Sequence, residues 1–82
     1  MQPKPITKYS ICKRTGMTKE HIDILKLMRQ KNVAIEWRKY ISPHTVQMLL
    51  RRRYVFYTDI SHNFIFLQKR GHEFLERYEK AK

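Results

Sequence analysis

Apolar residues fall at helical spacing in three parts of the chain and alternate at strand spacing in two. From Thr18 to about Lys31, Ile24, Leu25, Leu27 and Met28 form a wide apolar face. Thr18 suits the N-cap, Glu20 and Asp23 lie in the first turns, and Asn32 is a stop, so the spacing predicts a helix over 18–31. Ser42 followed by Pro43 is a start signal, because the hydroxyl caps free amides and proline is preorganised at the first helical position. Val46, Leu49 and Leu50 then stand at i, i+3, i+4 and are expected to face the core, with the helix ending near Arg53. Tyr54–Thr58 and Asn63–Leu67 favour extended structure, and Asp59, Ser61 and Asn63 mark a turn between them, which predicts a two-stranded hairpin. A final helix follows from Lys69 to about Ala81, with Phe74, Leu75 and Tyr78 on one side. Residues 33–40 carry two patterns. Val33, Ile35 and Trp37 alternate like a strand, while Ala34, Ile35 and Arg38 suit a short helix, and the expectation is a short helix after one or two extended residues.

These elements fit one small domain, since 82 residues leave no room for a second core. A hydrophobic content of 41% with four Phe, five Tyr and one Trp exceeds that of a disordered chain and predicts a packed interior. The fold class expected is α+β and mostly helical. No apolar run is long enough for a membrane helix, and MQPKPITKYS lacks the apolar centre of a signal peptide. The single Cys12 has no intramolecular disulfide partner and suits a reducing compartment. The expected location is the cytoplasm or the nucleoid.

Charge changes the picture most. Eighteen Lys+Arg against seven Asp+Glu give +11 and a pI near 10.2, a balance that attracts polyanions. The acids fall at Glu20, Asp23, Glu36, Asp59, Glu73, Glu76 and Glu79, so residues 1–19 and 37–58 each carry five basic residues and no acid. The last helix interleaves signs instead. Its Glu73/Arg77 and Glu76/Lys80 spacings predict surface pairs and a nearly ordinary solvated helix.

On the helix that starts at Ser42, His44, Gln47, Met48, Arg51 and Arg52 fall opposite the apolar arc. Thr45 lies at the border, and Arg53 leaves at the helix end. Glutamine bonds bidentately to adenine and arginine to guanine, and hydroxyls and arginines reach phosphates. Arg38 and Lys39 precede this helix within the acid-free stretch. A solvated basic face is the plainer reading, but the acid-free background favours a surface that reads nucleic acid.

Other chemistry finds little footing. Cys12 and the scattered His21, His44, His62 and His72 have no metal-ligand spacing, and no nucleophile motif, carboxylate pair or glycine-rich phosphate loop occurs. No enzyme, cofactor, metal or small-molecule substrate is expected. Cys12 reads as a small buried thiol. Trp37 reads as a core anchor rather than a base-stacking ring. Tyr54, Phe56, Tyr57, Phe64 and Phe66 alternate as a single-strand stacking platform does, but a hairpin must bury one face, so about half of them are expected in the core.

The order of these elements, together with 41-ISPHTVQMLL-50 and Leu67, Arg70, Gly71, Phe74 and Leu75 in 67-LQKRGHEFL-75, resembles the winged helix-turn-helix DNA-binding domains. The resemblance covers roughly 18–82 and implies three to four helices with a two-stranded β-hairpin wing, residues 1–17 being a basic arm or an extra helix. Gln68 stands where the family usually has Thr, and the frequent glycine at the helix–wing junction is missing. The resemblance implies that Ser42, His44, Thr45, Gln47, Arg51 and Arg52 lie in the major groove or on its phosphates, with Met48 against a thymine methyl or a partner. The wing, about Thr58 to Asn63, offers only His62 and Asn63. A competing register, 8-KYSICKRTGMTKEHIDIL-25, resembles a plain helix-turn-helix with Gly16 at the turn and Thr18, Lys19 and His21 as readers; Glu20 and Asp23 on that helix argue against it.

The expected function is a transcriptional regulator reading duplex DNA with the helix 42–53, as a homodimer; the sequence does not reveal the dimer surface, for which the last helix with Phe74, Leu75 and Tyr78 is the first candidate. A protein- or RNA-interaction module on the same fold is the alternative. Membrane-surface association ranks below both, because the basic residues do not line one face of an amphipathic helix.

Overall fold

The computed structural model describes residues 7–81. The fold is α+β and mostly helical: α1 (Lys8–Thr15), α2 (Lys19–Lys31), β1 (Ile35–Glu36), a 3-10 turn (Trp37–Lys39), α3 (Pro43–Arg51), β2 (Val55–Tyr57), β3 (Phe64–Leu67) and α4 (Lys69–Lys80). The helix boundaries follow local capping. Thr7, Thr18 and Ser42 each accept a backbone N–H three residues on, which satisfies a free amide of the first turn. Gly16 and Asn32 close α1 and α2 in the left-handed region, at φ 73° and 54°.

The sheet has three strands where the hairpin pattern predicts two. β3 is central, in the order β1-β3-β2, all antiparallel, with Ile35 opposite Ile65 and Phe56 opposite Phe66. Both patterns legible in 33–40 are present in sequence: two strand residues, then one 3-10 turn. The turn is fixed by Trp37, whose indole N–H donates to the His62 carbonyl at 2.8 Å while its backbone N–H donates to the Asn63 carbonyl at 3.2 Å.

One core joins all the elements. Ile11 of α1, Ile22, Leu25 and Met28 of α2, Val46 and Leu49 of α3, Val55, Ile65 and Leu67 of the sheet, and Phe74 and Leu75 of α4 are buried together. The described part of 1–17 is thus mainly a helix packed on α4 rather than an extended arm. Residues 1–6, which carry Lys4, lie outside the described residues.

The hairpin buries its aliphatic side. Val55, Ile65 and Leu67 are at most 3% exposed, while Phe56 and Phe64 on the outer face are each 40% exposed. The expectation that half the hairpin aromatics would be core is corrected accordingly: Tyr54, Tyr57 and Phe66 are only half-buried. Alternation assigns two faces to a strand without saying which face meets the helices. Here the more compact branched side chains take the inner one.

Candidate functional site

The N-terminus of α3 is built by Ser42 and Thr45. The Ser42 hydroxyl accepts the Thr45 N–H at 3.3 Å and lies 3.1 Å from the Thr45 hydroxyl. From there the helix sets Val46 and Leu49 fully into the core. The opposite row, His44, Gln47 and Arg51 at i, i+3, i+7, is exposed. Leu50 and Met48 are half-buried flanks, one on each side. This corrects three expectations, since Leu50 is not fully in the core and neither Met48 nor Arg52 is on the fully exposed face. Val46 and Leu49 join the common core, and β2 is among the elements packed on α3. Thr45 and Arg52 are likewise half-buried, and Ser42 and Arg53 are exposed.

The exit of α3 is a Schellman turn. Arg53 N–H donates to the Leu50 carbonyl and Tyr54 N–H to the Leu49 carbonyl, both at 3.0 Å. Arg53 therefore holds φ 62°, the left-handed position that normally selects glycine. An arginine in that place carries backbone strain of about 1 kcal/mol or more.

On the 3-10 turn, Arg38 and Lys39 are both exposed. The Arg38 guanidinium lies 5.3 Å from the centre of the Trp37 ring, and Lys39 Nζ is 3.4 Å from Glu36 Oε2, which offsets part of its charge.

Of the two polar candidates in the β2–β3 turn, His62 is exposed and Asn63 half-buried. The His62 ring stacks on Tyr57 at 4.2 Å. Asp59, a turn marker in the sequence, caps the turn by accepting the N–H groups of Asn63 and Phe64. The Phe64 N–H is the main reason its carboxyl sits below the ordinary aspartate value, with the Asn63 N–H adding to the effect. At the turn's apex stands Ile60, 98% exposed, a residue no periodicity argument singles out.

The competing register also exists as two helices about Gly16, but two of its three readers, Thr18 and His21, are engaged with each other. The Thr18 hydroxyl accepts the His21 N–H while His21 Nδ1 accepts the Thr18 N–H, a reciprocal cap. Burial holds the His21 imidazole below its usual pKa, with Glu20 pulling the other way. What remains outward on α2's first turns is Lys19, Glu20 and Asp23, a face without positive excess.

The proposed dimer face of α4 is used within the chain. Phe74 and Leu75 are buried, and Tyr78 stacks on Phe74 with Lys8 and Lys26 over its ring. This corrects the sequence reading, and the reason is that α2, β3 and α1 all pack on α4, with Tyr54 against Phe74. The Glu73/Arg77 and Glu76/Lys80 pairs do not form either. Glu79 instead bonds Arg29 of α2, which holds the Glu79 carboxyl below its ordinary value. Arg70 and Arg77 line a groove of about 290 Å³ with Tyr54, Glu73 and Phe74. Sequence reasoning missed this groove because its walls come from two segments.

Among the described residues no group of three or more His, Cys, Asp or Glu is placed to hold a metal, and no helix is long and apolar enough to cross a membrane. Cys12 is a free, half-buried thiol against the core. No protein-family model, curated protein or solved structure matches the chain.

Proposed function

We propose that the chain is a winged helix-turn-helix domain that binds duplex DNA with α3 and acts in transcriptional regulation. One observation carries the reading: the exposed row His44, Gln47 and Arg51 lies opposite the fully buried Val46 and Leu49, in a stretch without acid, and it runs into Arg52 and Arg53. A short helix with donors and cations along its exposed face suits the major groove. The element order supports the fold assignment, since α2, β1, the 3-10 turn, α3, the β2–β3 hairpin and α4 follow the winged-helix sequence with the second helix cut to a single turn. In this reading the wing tip offers apolar Ile60 instead of a cation, a side chain type that packs into a minor groove. Assembly as a homodimer belongs to the proposal on the symmetry of paired half-sites, about one helical turn apart.

Selection of bound sequences from a random duplex pool tests the proposal. An enriched motif supports it, and a pool that returns unenriched overturns it. Affinity must also fall steeply with salt, because about five phosphate contacts give a log–log slope near −5.

A second reading rests on a different surface. Phe56 and Phe64, each 40% exposed, and Phe66, edge-on to Phe56 at 6.3 Å, share the outer face of the sheet. Open aromatic rings suit a single strand or structured RNA, or a protein partner. Preference for single strands or RNA over duplex, lost on Phe56→Ser, selects this reading over the first.

A further inference from the structure

We infer that the groove between the α3 exit and α4 seats a backbone phosphate of the bound nucleic acid, held by Arg70 and Arg77. The inference rests on the DNA-binding reading and extends its footprint to a helix whose sequence looks like ordinary solvated surface.

The groove begins one residue after the Arg51–Arg53 run, at Tyr54. Gln68 N–H donates to the Tyr54 carbonyl at 2.9 Å, and Gln68 Nε2 donates to the Val55 carbonyl at 2.8 Å, so the start of α4 is tied to the end of α3. Gly71 makes the approach possible, since a Cβ there would lie 2.3 Å from the Tyr54 carbonyl oxygen. Cations about twenty residues apart in sequence thereby converge on one junction.

Within the groove, Arg70 and Arg77 stand two turns apart on one face of α4, with Glu73 and Phe74 between them. Phe74 is buried and packs on Tyr54 with ring centres 5.0 Å apart, which gives the groove a fixed aromatic base. Both arginines are exposed, and among the described residues neither is in an ion pair; the pairs are Arg29–Glu79 and Lys39–Glu36. Two uncommitted guanidinium forks on a rigid base suit phosphate oxygens, which they bond in pairs. Glu73 opposes the anion, so the lining carries a net charge of +1 (two Arg less one Glu). That opposition supplies a sharp test.

The experiment measures duplex affinity of the full chain across a salt series. Arg70→Gln/Arg77→Gln is compared with Lys31→Gln/Lys80→Gln, which removes equal charge from exposed positions off the groove. The groove variant is expected to bind on the order of tenfold more weakly with a slope shallower by about 1, while the control keeps the wild-type slope. Glu73→Gln is expected to bind more tightly than Glu76→Gln, which changes net charge identically. Equal behaviour of the two double variants overturns the inference and leaves the DNA-binding reading intact; a wild-type chain that ignores duplex removes both. Side-chain Nε–Hε NMR signals of Arg70 and Arg77 in the unaltered protein give an independent readout. Their failure to shift on adding a bound duplex also overturns the phosphate seat.

Discussion

Gly71→Ala is expected to destabilise the fold, although alanine inside a helix is ordinarily favoured over glycine by roughly 0.5–1 kcal/mol. The new Cβ would sit 2.3 Å from the Tyr54 carbonyl oxygen, 2.9 Å from Leu67 Cδ1 and 3.0 Å from Leu67 Cγ. A leucine side chain can yield, but the carbonyl oxygen belongs to the backbone and accepts the Gln68 N–H. Opening the contact to 3.4 Å requires a shift of about 1.1 Å, which parts α4 from β2. The two Gln68 hydrogen bonds are then strained or lost, at about 0.5–1.5 kcal/mol each, and the overpacked junction with Leu67 costs a further 1–3 kcal/mol or so. Less the propensity gain, the net loss is about 3 kcal/mol, within a span of roughly 1–5. For a domain of this size that lowers the thermal midpoint by roughly 10–25 °C. Thermal unfolding followed by far-UV circular dichroism, repeated in urea, measures it. A midpoint equal to or above wild type would refute the reasoning, for it would mean that helix propensity decides and the α4–β2 contact opens freely.

Arg53→Gly relieves the left-handed backbone and is expected to stabilise the free protein by about 1 kcal/mol, read as a rise in midpoint of roughly 4–8 °C; a fall contradicts the strain assignment. Arg51→Ala is expected to leave the midpoint near wild type while weakening a matched duplex site by about 1–3 kcal/mol with loss of base discrimination. Uniform weakening across unrelated sequences would reduce Arg51 to a phosphate contact. Asp59 is held below its ordinary pKa by the Phe64 and Asn63 N–H groups, so its stabilising effect is full above the ordinary aspartate value and lost as pH falls through the lowered one. The unfolding midpoint of Asp59→Ala should accordingly converge on that of wild type as pH drops below about 4, and a difference that persists there counts against the cap. Trp37→Phe removes the indole bond to the His62 carbonyl and is expected to cost about 1–2 kcal/mol, with faster amide exchange in the 58–63 turn. Unchanged exchange would show that the turn holds itself.

Features that depend on a few neighbouring residues were readable along the chain. Thr18, Ser42–Pro43 and Asn32 mark helix ends because a cap reaches only three or four residues, and Val46 with Leu49 identifies the buried side of α3 because helical period is local. The free face His44, Gln47 and Arg51 follows from the same geometry, so most of the candidate surface was legible. Only the tertiary structure decided what depends on distant faces meeting. Ile35 becomes an edge strand because Ile65, 30 residues away, has an unpaired side. Glu79 bonds Arg29 across 50 residues, while the i,i+4 pairs Glu73/Arg77 and Glu76/Lys80 stay open, and α2, β3 and α1 together cover the α4 stripe that the sequence left free for a partner. The placement of Arg70 and Arg77 beside Tyr54 belongs here too, since it depends on how closely two backbones approach at Gly71. Periodicity tells a residue which way to point. Packing alone fixes what it finds there.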